Sequence, residues 1–355
     1  MQVRILADDL SGAADCAASF TGAIGAVPLL LRDRSAHAAS FALDADSRTL
    51  PAEAAAARWR ALGRAHAAGI VPATLLFKKI DSTLRGHVVE ELVALLEAIP
   101  GVERIVIAPA FPEQGRTFAD GRLRVHGKPQ AATLATLRER LEAKLGGRTL
   151  VVPMTIAEQA DLLTLVRDTR ESDERTLWVG SSGLARALAG ATPRQVDAKV
   201  LQPPTLVVVG SFSEAAREQV RAFSRENPAN AVAVSPSARG MAAAAARAAD
   251  VLKTSRTALV HLESEESASV AASREIVDAL AEALRDLARR ARTLVMTGGD
   301  TARAMLAALG VDALTIEGEL EPGISVSAPV EGHGFRAVLK AGGFGDNGVF
   351  LRCLP

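Results

Sequence analysis

Cysteine is nearly missing from this chain. Cys16 and Cys353 are the two present in 355 residues, too few for a disulfide framework and without the C-x-x-C spacing of a zinc site. Aromatic residues make up 3% and tyrosine is absent, which leaves few platforms on which bases could stack. Lys plus Arg (41) equals Asp plus Glu (41), so no net field attracts polyanions. Nucleic acid is therefore excluded as the main partner. No apolar run reaches the roughly 20 residues of a membrane-spanning helix. The N-terminus enters a strand pattern at Val3 without a basic and then apolar leader. The expectation is a cytoplasmic protein with no membrane partner. One phosphate-binding signature is also missing: G-x-x-x-x-G-K-[ST] does not occur, so there is no P-loop. Gly180-Ser181-Ser182-Gly183 falls short of a hydrolase nucleophile elbow, because Leu184 stands where G-x-S-x-G needs its second glycine. It reads as a helix-capping turn.

What is present is an alternation of short apolar runs and longer Ala-rich segments, the mark of an α/β fold with a mostly parallel sheet. Strands are predicted at Val3–Ala7, Val27–Leu31, Leu75–Phe77, Arg104–Ala108, Thr149–Val152 and Thr176–Val179. Helices are predicted from Ser11, over Ala52–Ala68, and from Ser82 with Val88, Leu92, Leu95, Leu96 and Ile99 at spacings of three and four. Ala191–Pro204 lacks periodicity and contains three prolines, so the chain divides into residues 1–195, a linker at 196–204, and residues 205–355. The pattern restarts at Leu206–Val209 and continues with strands at Thr257–Leu262 and Leu294–Met296 and a helix over Ile276–Arg292. Each domain is expected to be a mostly parallel sheet flanked by helices.

In open α/β sheets ligands bind beyond the carboxyl ends of the strands, and four segments place small and ionisable residues there. Two lie in the first domain. Ala7-Asp8-Asp9-Leu10-Ser11-Gly12-Ala13 sets adjacent carboxylates ahead of a helix. On extended chain their side chains point to opposite faces, so one suits a substrate hydroxyl and the other, or Ser11, a helix cap. Lys78-Lys79-Ile80-Asp81-Ser82-Thr83-Leu84-Arg85-Gly86 groups Lys79 with Asp81 on one face and Lys78 with Ile80 on the other. Arg85 supplies a planar fork for a carboxylate, and the amides of a helix starting here would favour an anion. A small hydroxy acid fits this chemistry. The loop Pro109–Gly121 adds Arg116 as a further substrate contact.

The other two segments lie in the second domain. Thr297-Gly298-Gly299-Asp300-Thr301 and Gly342-Gly343-Phe344-Gly345-Asp346, with the Gly210-Ser211 turn, let backbone amides approach phosphates. Asp300 or Asp346 could hold Mg²⁺, which takes one or two carboxylates together with phosphate oxygens.

In this order the segments resemble the four-carbon acid sugar kinase family, long catalogued as a domain of unknown function and in part labelled type III effector. The resemblance covers ADDLSGA at 7–13, KKIDSTLRG at 78–86, APAFPEQGRT at 108–117, GSFS at 210–213, TGGDTA at 297–302, and GELEPGI with KAGGFGD at 318–346. Ser11 departs from the Thr common in the first motif but keeps the hydroxyl, and the chain is shorter than typical members. The resemblance implies a sugar-acid domain and a nucleotide domain with the active site in the interdomain cleft. It further implies ATP-dependent phosphorylation, at O4, of acids such as threonate, erythronate or 3-oxo-tetronate. It assigns Asp8, Asp9, Lys79, Asp81, Ser82 and Arg85 to the acid. Ser211, Ser213, Gly298, Gly299, Asp300, Thr301, Gly342 and Gly343 go to ATP. The proton acceptor is left among Asp8, Asp9 and Asp81. The alternatives are a non-kinase nucleotide-using α/β enzyme and a hydroxy-acid-binding or effector protein without catalysis. A homo-oligomer is compatible with the sequence.

Overall fold

Short runs of Val, Ile and Leu become strands and the Ala-rich stretches become helices, as expected where β-branched residues pack on a sheet and alanine favours the helix. The computed structural model describes residues 1–32, 38–67, 74–171, 174–263 and 270–354. The chain divides into two units, Met1–Pro193 and Arg194–Pro355.

The first unit runs β1 (Gln2–Ala7), α1 (Leu10–Ile24), β2 (Val27–Leu30), β3 (Phe41–Asp44), α2 (Ala52–Ala67), β4 (Thr74–Lys79), α3 (Val88–Ala98) and β5 (Arg104–Ala108). After β5 come β6 (Arg116–Ala119), β7 (Arg122–Val125), β8 (Lys128–Thr133) and α4 (Leu134–Glu142). The unit closes with β9 (Thr149–Val151), α5 (Gln159–Arg170), β10 (Thr176–Gly180) and α6 (Ser182–Ala189). Its main sheet has the order β2-β3-β1-β4-β10-β5-β9, every neighbouring pair parallel. Strands buried on both faces read as unbroken apolar runs, and the buried Ile105–Ala108 stretch is one.

The second unit runs β11 (Thr205–Val209), α7 (Glu214–Glu226), β12 (Ala231–Val234), α8 (Ala238–Ser255), β13 (Thr257–Leu262), α9 (Val270–Ala288) and β14 (Thr293–Thr297). It continues with α10 (Gly299–Leu309), β15 (Ala313–Glu321), β16 (Ile324–Pro329), β17 (Arg336–Lys340) and α11 (Val349–Arg352). Its strands follow the order β12-β13-β11-β14-β17-β16-β15. The run from β12 to β17 is parallel, while β16 pairs antiparallel with both β17 and β15. Val207, Val209, Val220, Phe223, Val338 and Phe350 share one apolar core in this unit.

Each unit is thus the mostly parallel α/β sheet that the alternation predicts, with four local corrections. The helix expected from Ser82 begins at Val88. Leu84 (φ 61°) and Gly86 (φ 88°) are left-handed, which no helix can contain. The Pro109–Gly121 loop is in part β6, paired antiparallel with β7 and through it with β8. The helix over Ile276–Arg292 runs instead from Val270 to Ala288, because Arg292 is already tied by its N–H to the Pro204 carbonyl. The helix predicted over Ala52–Ala68 ends at Ala67, and Ala68 lies outside the described residues.

Candidate functional site

In the first unit, pairing of β1 with β3 and β4 sets Ala7 level with both Asp44 and Lys79. Three carboxyl ends therefore finish side by side, and the residues just past them meet. The Asp8 backbone carbonyl fastens the turn after β3 by accepting from the amides of Ser47 (3.0 Å) and Arg48 (3.2 Å). That places Arg48, a residue the sequence reading missed, over both carboxylates. Its Nε and Nη2 donate to Asp8 Oδ2 and Oδ1 at 2.8 and 2.7 Å, and Nη2 also reaches Asp9 Oδ1 at 2.7 Å. Asp8 and Asp9, expected on opposite faces, are joined by one guanidinium.

Asp9 caps α1: it accepts from the Gly12 amide at 3.1 Å and from the Ser11 hydroxyl at 2.7 Å. Lys79 Nζ lies 3.9 Å from Asp9 Oδ1. A Cβ on Gly12 would stand 2.3 Å from that ammonium, so glycine is what lets the lysine lie across the first turn of α1. Asp81 accepts from the Thr83 hydroxyl at 2.6 Å and from the Nε of Arg85, whose Nη2 reaches the other oxygen at 3.2 Å. Arg85 is thus forked onto Asp81, with its side chain largely exposed. Ser82 is buried beside it. Arg116, on β6, is also buried and feels the charge of Asp81, although burial pulls its own pKa down.

The three carboxyls differ in proton affinity. For Asp8, burial outweighs Arg48 and Lys79 and the pKa is raised. Burial also pushes on Asp9, but Arg48, Lys79 and the Ser11 hydroxyl prevail and lower it. At Asp81 burial is overcome by Arg48 and by the bond and charge of Arg85, so its carboxyl lies far below the usual range.

Beneath this surface is a buried polar chain. Lys78 Nζ donates to Glu91 Oε2 at 2.8 Å, and the Ser47 hydroxyl donates to Glu91 Oε1 at 2.6 Å. Trp59 Nε1 donates to the same Ser47 oxygen at 2.8 Å, with the Lys78 ammonium 3.5 Å from the Trp59 ring centroid. Every member is fully or nearly fully buried. The chain fixes Ser47, and Ser47 is the neighbour of Arg48. The two adjacent lysines therefore divide the work: Lys79 faces the carboxylates and Lys78 supports the turn behind them.

In the second unit, β11, β14 and β17 lie side by side with Val209, Thr297 and Lys340 level. The turns that follow converge. Gly298 (φ 99°) donates its N–H to the Lys340 carbonyl at 2.8 Å and caps α10 with no side chain, leaving amides at a helix N-terminus open to an anion. An added Cβ on Gly342 would lie 2.2 Å from Ser211 Oγ, and one on Gly210 would lie 2.4 Å from Thr301 Oγ1. Ser213 caps α7 and donates its hydroxyl to the Gly342 carbonyl at 2.7 Å. Gly299 and Asp300 form the first turn of α10, and Gly343 follows Gly342 in the loop after β17. Asp300 is paired with Arg274 at 3.1 Å; Asp346 is paired with Arg352 at 2.8 Å and accepts from the Gly348 amide. Among the described residues no three His, Cys, Asp or Glu side chains gather as a metal cage. No described helix is long and apolar enough to cross a membrane.

A family model for a sugar-binding N-terminal domain matches residues 3–136, and one for a nucleotide-binding C-terminal domain matches residues 206–350. The chain is similar to a D-threonate kinase of Cupriavidus necator, 34% identical over 98% of this chain and 95% of that protein. It is also similar to a D-threonate kinase of Bordetella bronchiseptica (33%; 99% and 96%) and to a 3-oxo-tetronate kinase of C. necator (28%; 98% and 95%). Solved structures from Salmonella typhimurium LT2 (TM-score 0.69, 21% identity) and Haemophilus influenzae (TM-score 0.62, 18% identity) share the fold, each over 99% of this chain and 98% of theirs.

Proposed function

Because the chain belongs to the four-carbon acid sugar kinase family, we propose that it transfers the terminal phosphoryl group of ATP to the O4 hydroxyl of a four-carbon sugar acid. Two relatives named D-threonate kinase are 34% and 33% identical, while a third is 28%, the same as one named 3-oxo-tetronate kinase. The two higher identities make D-threonate the first substrate to test. The observation that carries the reading is the pair of strand-end clusters. One unit gathers carboxylates with Arg48 and Lys79, and the other brings Gly298, Ser211 and Gly342 into contact.

Phosphoryl transfer asks a protein mainly to position the reactants and to neutralise charge on the phosphoryl oxygens. Arg48, Lys79 and Arg116 supply cations for the acid's carboxylate. Arg85 would contribute by sharing the guanidinium it gives to Asp81. Asp8 is the proton acceptor we favour, since its pKa is raised while those of Asp9 and Asp81 are lowered. Each carboxylate oxygen has two lone pairs, so Asp8 can hold Arg48 and still accept from a hydroxyl. Asp9 and Asp81 instead orient the cations.

The amides at Gly298–Gly299 and around Gly342 would receive the phosphates, with Ser211, Ser213 and Thr301 lining the turn. Mg²⁺ would neutralise phosphate oxygens, and one or two carboxylates suffice for it when phosphates supply the remaining ligands. Asp300 is placed for that part by its position in the first turn of α10 beside the Gly pair; it is paired with Arg274, as Asp346 is with Arg352.

Release of ADP, coupled to an optical readout, tests the reading against D-threonate, L-threonate, D-erythronate and the 3-oxo acids. Turnover with at least one is expected. If none raises ADP release above the rate with ATP alone, the assignment to this substrate class falls.

A further inference from the structure

Lys340 ends β17 with a side chain 1% exposed and, among the described residues, no carboxylate within ion-pair distance. Its ammonium donates instead to backbone carbonyls of the loop it precedes: Ala341 at 3.0 Å, Gly342 at 3.4 Å and Phe344 at 2.9 Å. Two other side chains pull the same way. Ser213 donates to the Gly342 carbonyl, and buried Gln219 on α7 donates to Phe344 and Gly345 at 2.9 and 3.0 Å. A trans peptide points its N–H opposite to its C=O. Drawing the carbonyls of Ala341, Phe344 and Gly345 inward therefore turns the amides of Gly342, Gly345 and Asp346 outward. Successive amides presented in this way form an anion-binding concavity.

We propose that Lys340 is a positioning residue for the phosphate half-site: its buried ammonium acts as an internal cation that gathers the loop's carbonyls and so aims the loop's amides at the nucleotide. The inference rests on the reading of the second unit as the nucleotide side. A lysine suits the task because an ammonium has three donors and no acceptor, so one group can satisfy several carbonyls.

Burial lowers the Lys340 pKa to about 7, against smaller upward pushes from Cys353 and Glu321. The groups facing it do not compete for its proton. Glu321, at the end of β15, is held by Arg352 at 2.9 Å, the Cys353 thiol is pushed up to about 12, and from α11 the Phe350 ring lies 5.7 Å away. The neutral amine has fewer donors and presents a lone pair to the carbonyls. Nucleotide affinity should therefore fall as pH rises through neutrality.

The test uses the full-length protein with Lys340→Met and Lys340→Ala. It reads KM for ATP and for the acid, and amide hydrogen exchange over residues 342–346 without nucleotide. Lys340→Met is expected to weaken ATP by about tenfold or more, the scale of leaving buried acceptors unmet. It should leave the acid's KM within about twofold and speed exchange of the loop amides. In Lys340→Ala, n-propylamine replaces the missing carbons and ammonium and should restore part of the ATP affinity. An unchanged KM for ATP in a folded variant, unchanged exchange, or equal losses for both substrates would overturn the proposal. If wild type binds no nucleotide, the functional reading fails by itself, and the exchange measurement still decides whether Lys340 holds the loop.

Discussion

Arg48 grips Asp8 through both carboxylate oxygens, at 2.7 and 2.8 Å, although 40 residues separate them in the chain. The pair offsets part of the cost of burying that carboxylate, 2% exposed, at the end of β1.

Arg48→Met leaves Asp8 buried without its partner, which costs about 3–5 kcal/mol. Urea unfolding should show that loss, and the acid's KM should rise while that of ATP does not. Adding Asp8→Asn should return much of the stability without returning activity. Equal stability of wild type and Arg48→Met would mean that the grip contributes nothing.

Asp81 predicts a pH dependence of definite sign. Its pKa is depressed in the folded protein, so the stability it contributes is complete above the unfolded value of about 3.9 and is lost as pH falls through the lower folded value. Asp81→Asn should be less stable than wild type at neutral pH, and the difference should shrink steadily in acid below about pH 4. Thermal melts from neutral to strongly acidic buffer would reveal it.

Glu91 and Lys78 form a pair with side chains 2% and 0% exposed. Glu91→Gln should destabilise by about 3–5 kcal/mol, whereas Lys78→Met with Glu91→Leu should cost less because no charge is stranded. The double variant leaves the Ser47 hydroxyl without its acceptor and should raise the acid's KM through Arg48, whereas Glu91→Gln keeps an amide oxygen for it. A double variant as unstable as the single one would contradict this account.

Gly342→Ala should raise the KM for ATP about tenfold or more, since the added methyl would stand 2.2 Å from Ser211 Oγ. Ser211→Gly in the same chain removes the obstacle and should recover part of the loss. The KM for the acid serves as the control and should stay put.

Much of this was legible from local pattern. The β-α alternation and the separation of Lys79 from Lys78 follow from periodicities that depend on neighbours in sequence, and Asp9 was one of the candidate caps beside Ser11. Arg48 was not legible, because its role comes from β1 pairing with β3, a contact across 40 residues that no periodicity encodes. The helix placed at Ser82 failed for the opposite reason: its apolar spacing begins at Val88, while left-handed Leu84 is a conformation that residue type disfavours. Lys340 gave no signal beyond its place ahead of the Gly-rich loop, since lysines at strand ends are common and its burial is a property of the fold. The antiparallel β6–β8 sheet was hidden by Gly and Pro residues that mark turns without revealing what lies between them.

The level alignment of Ala7, Asp44 and Lys79 ties the acid-side groups to the central strands of their sheet. Groups carried on surface loops can melt while a core persists, but these hang on the last hydrogen-bonded rungs of the core itself. Capacity to bind the acid should thus behave as an all-or-none property of the unit, vanishing in denaturant at the same midpoint as the buried sheet rather than ahead of it.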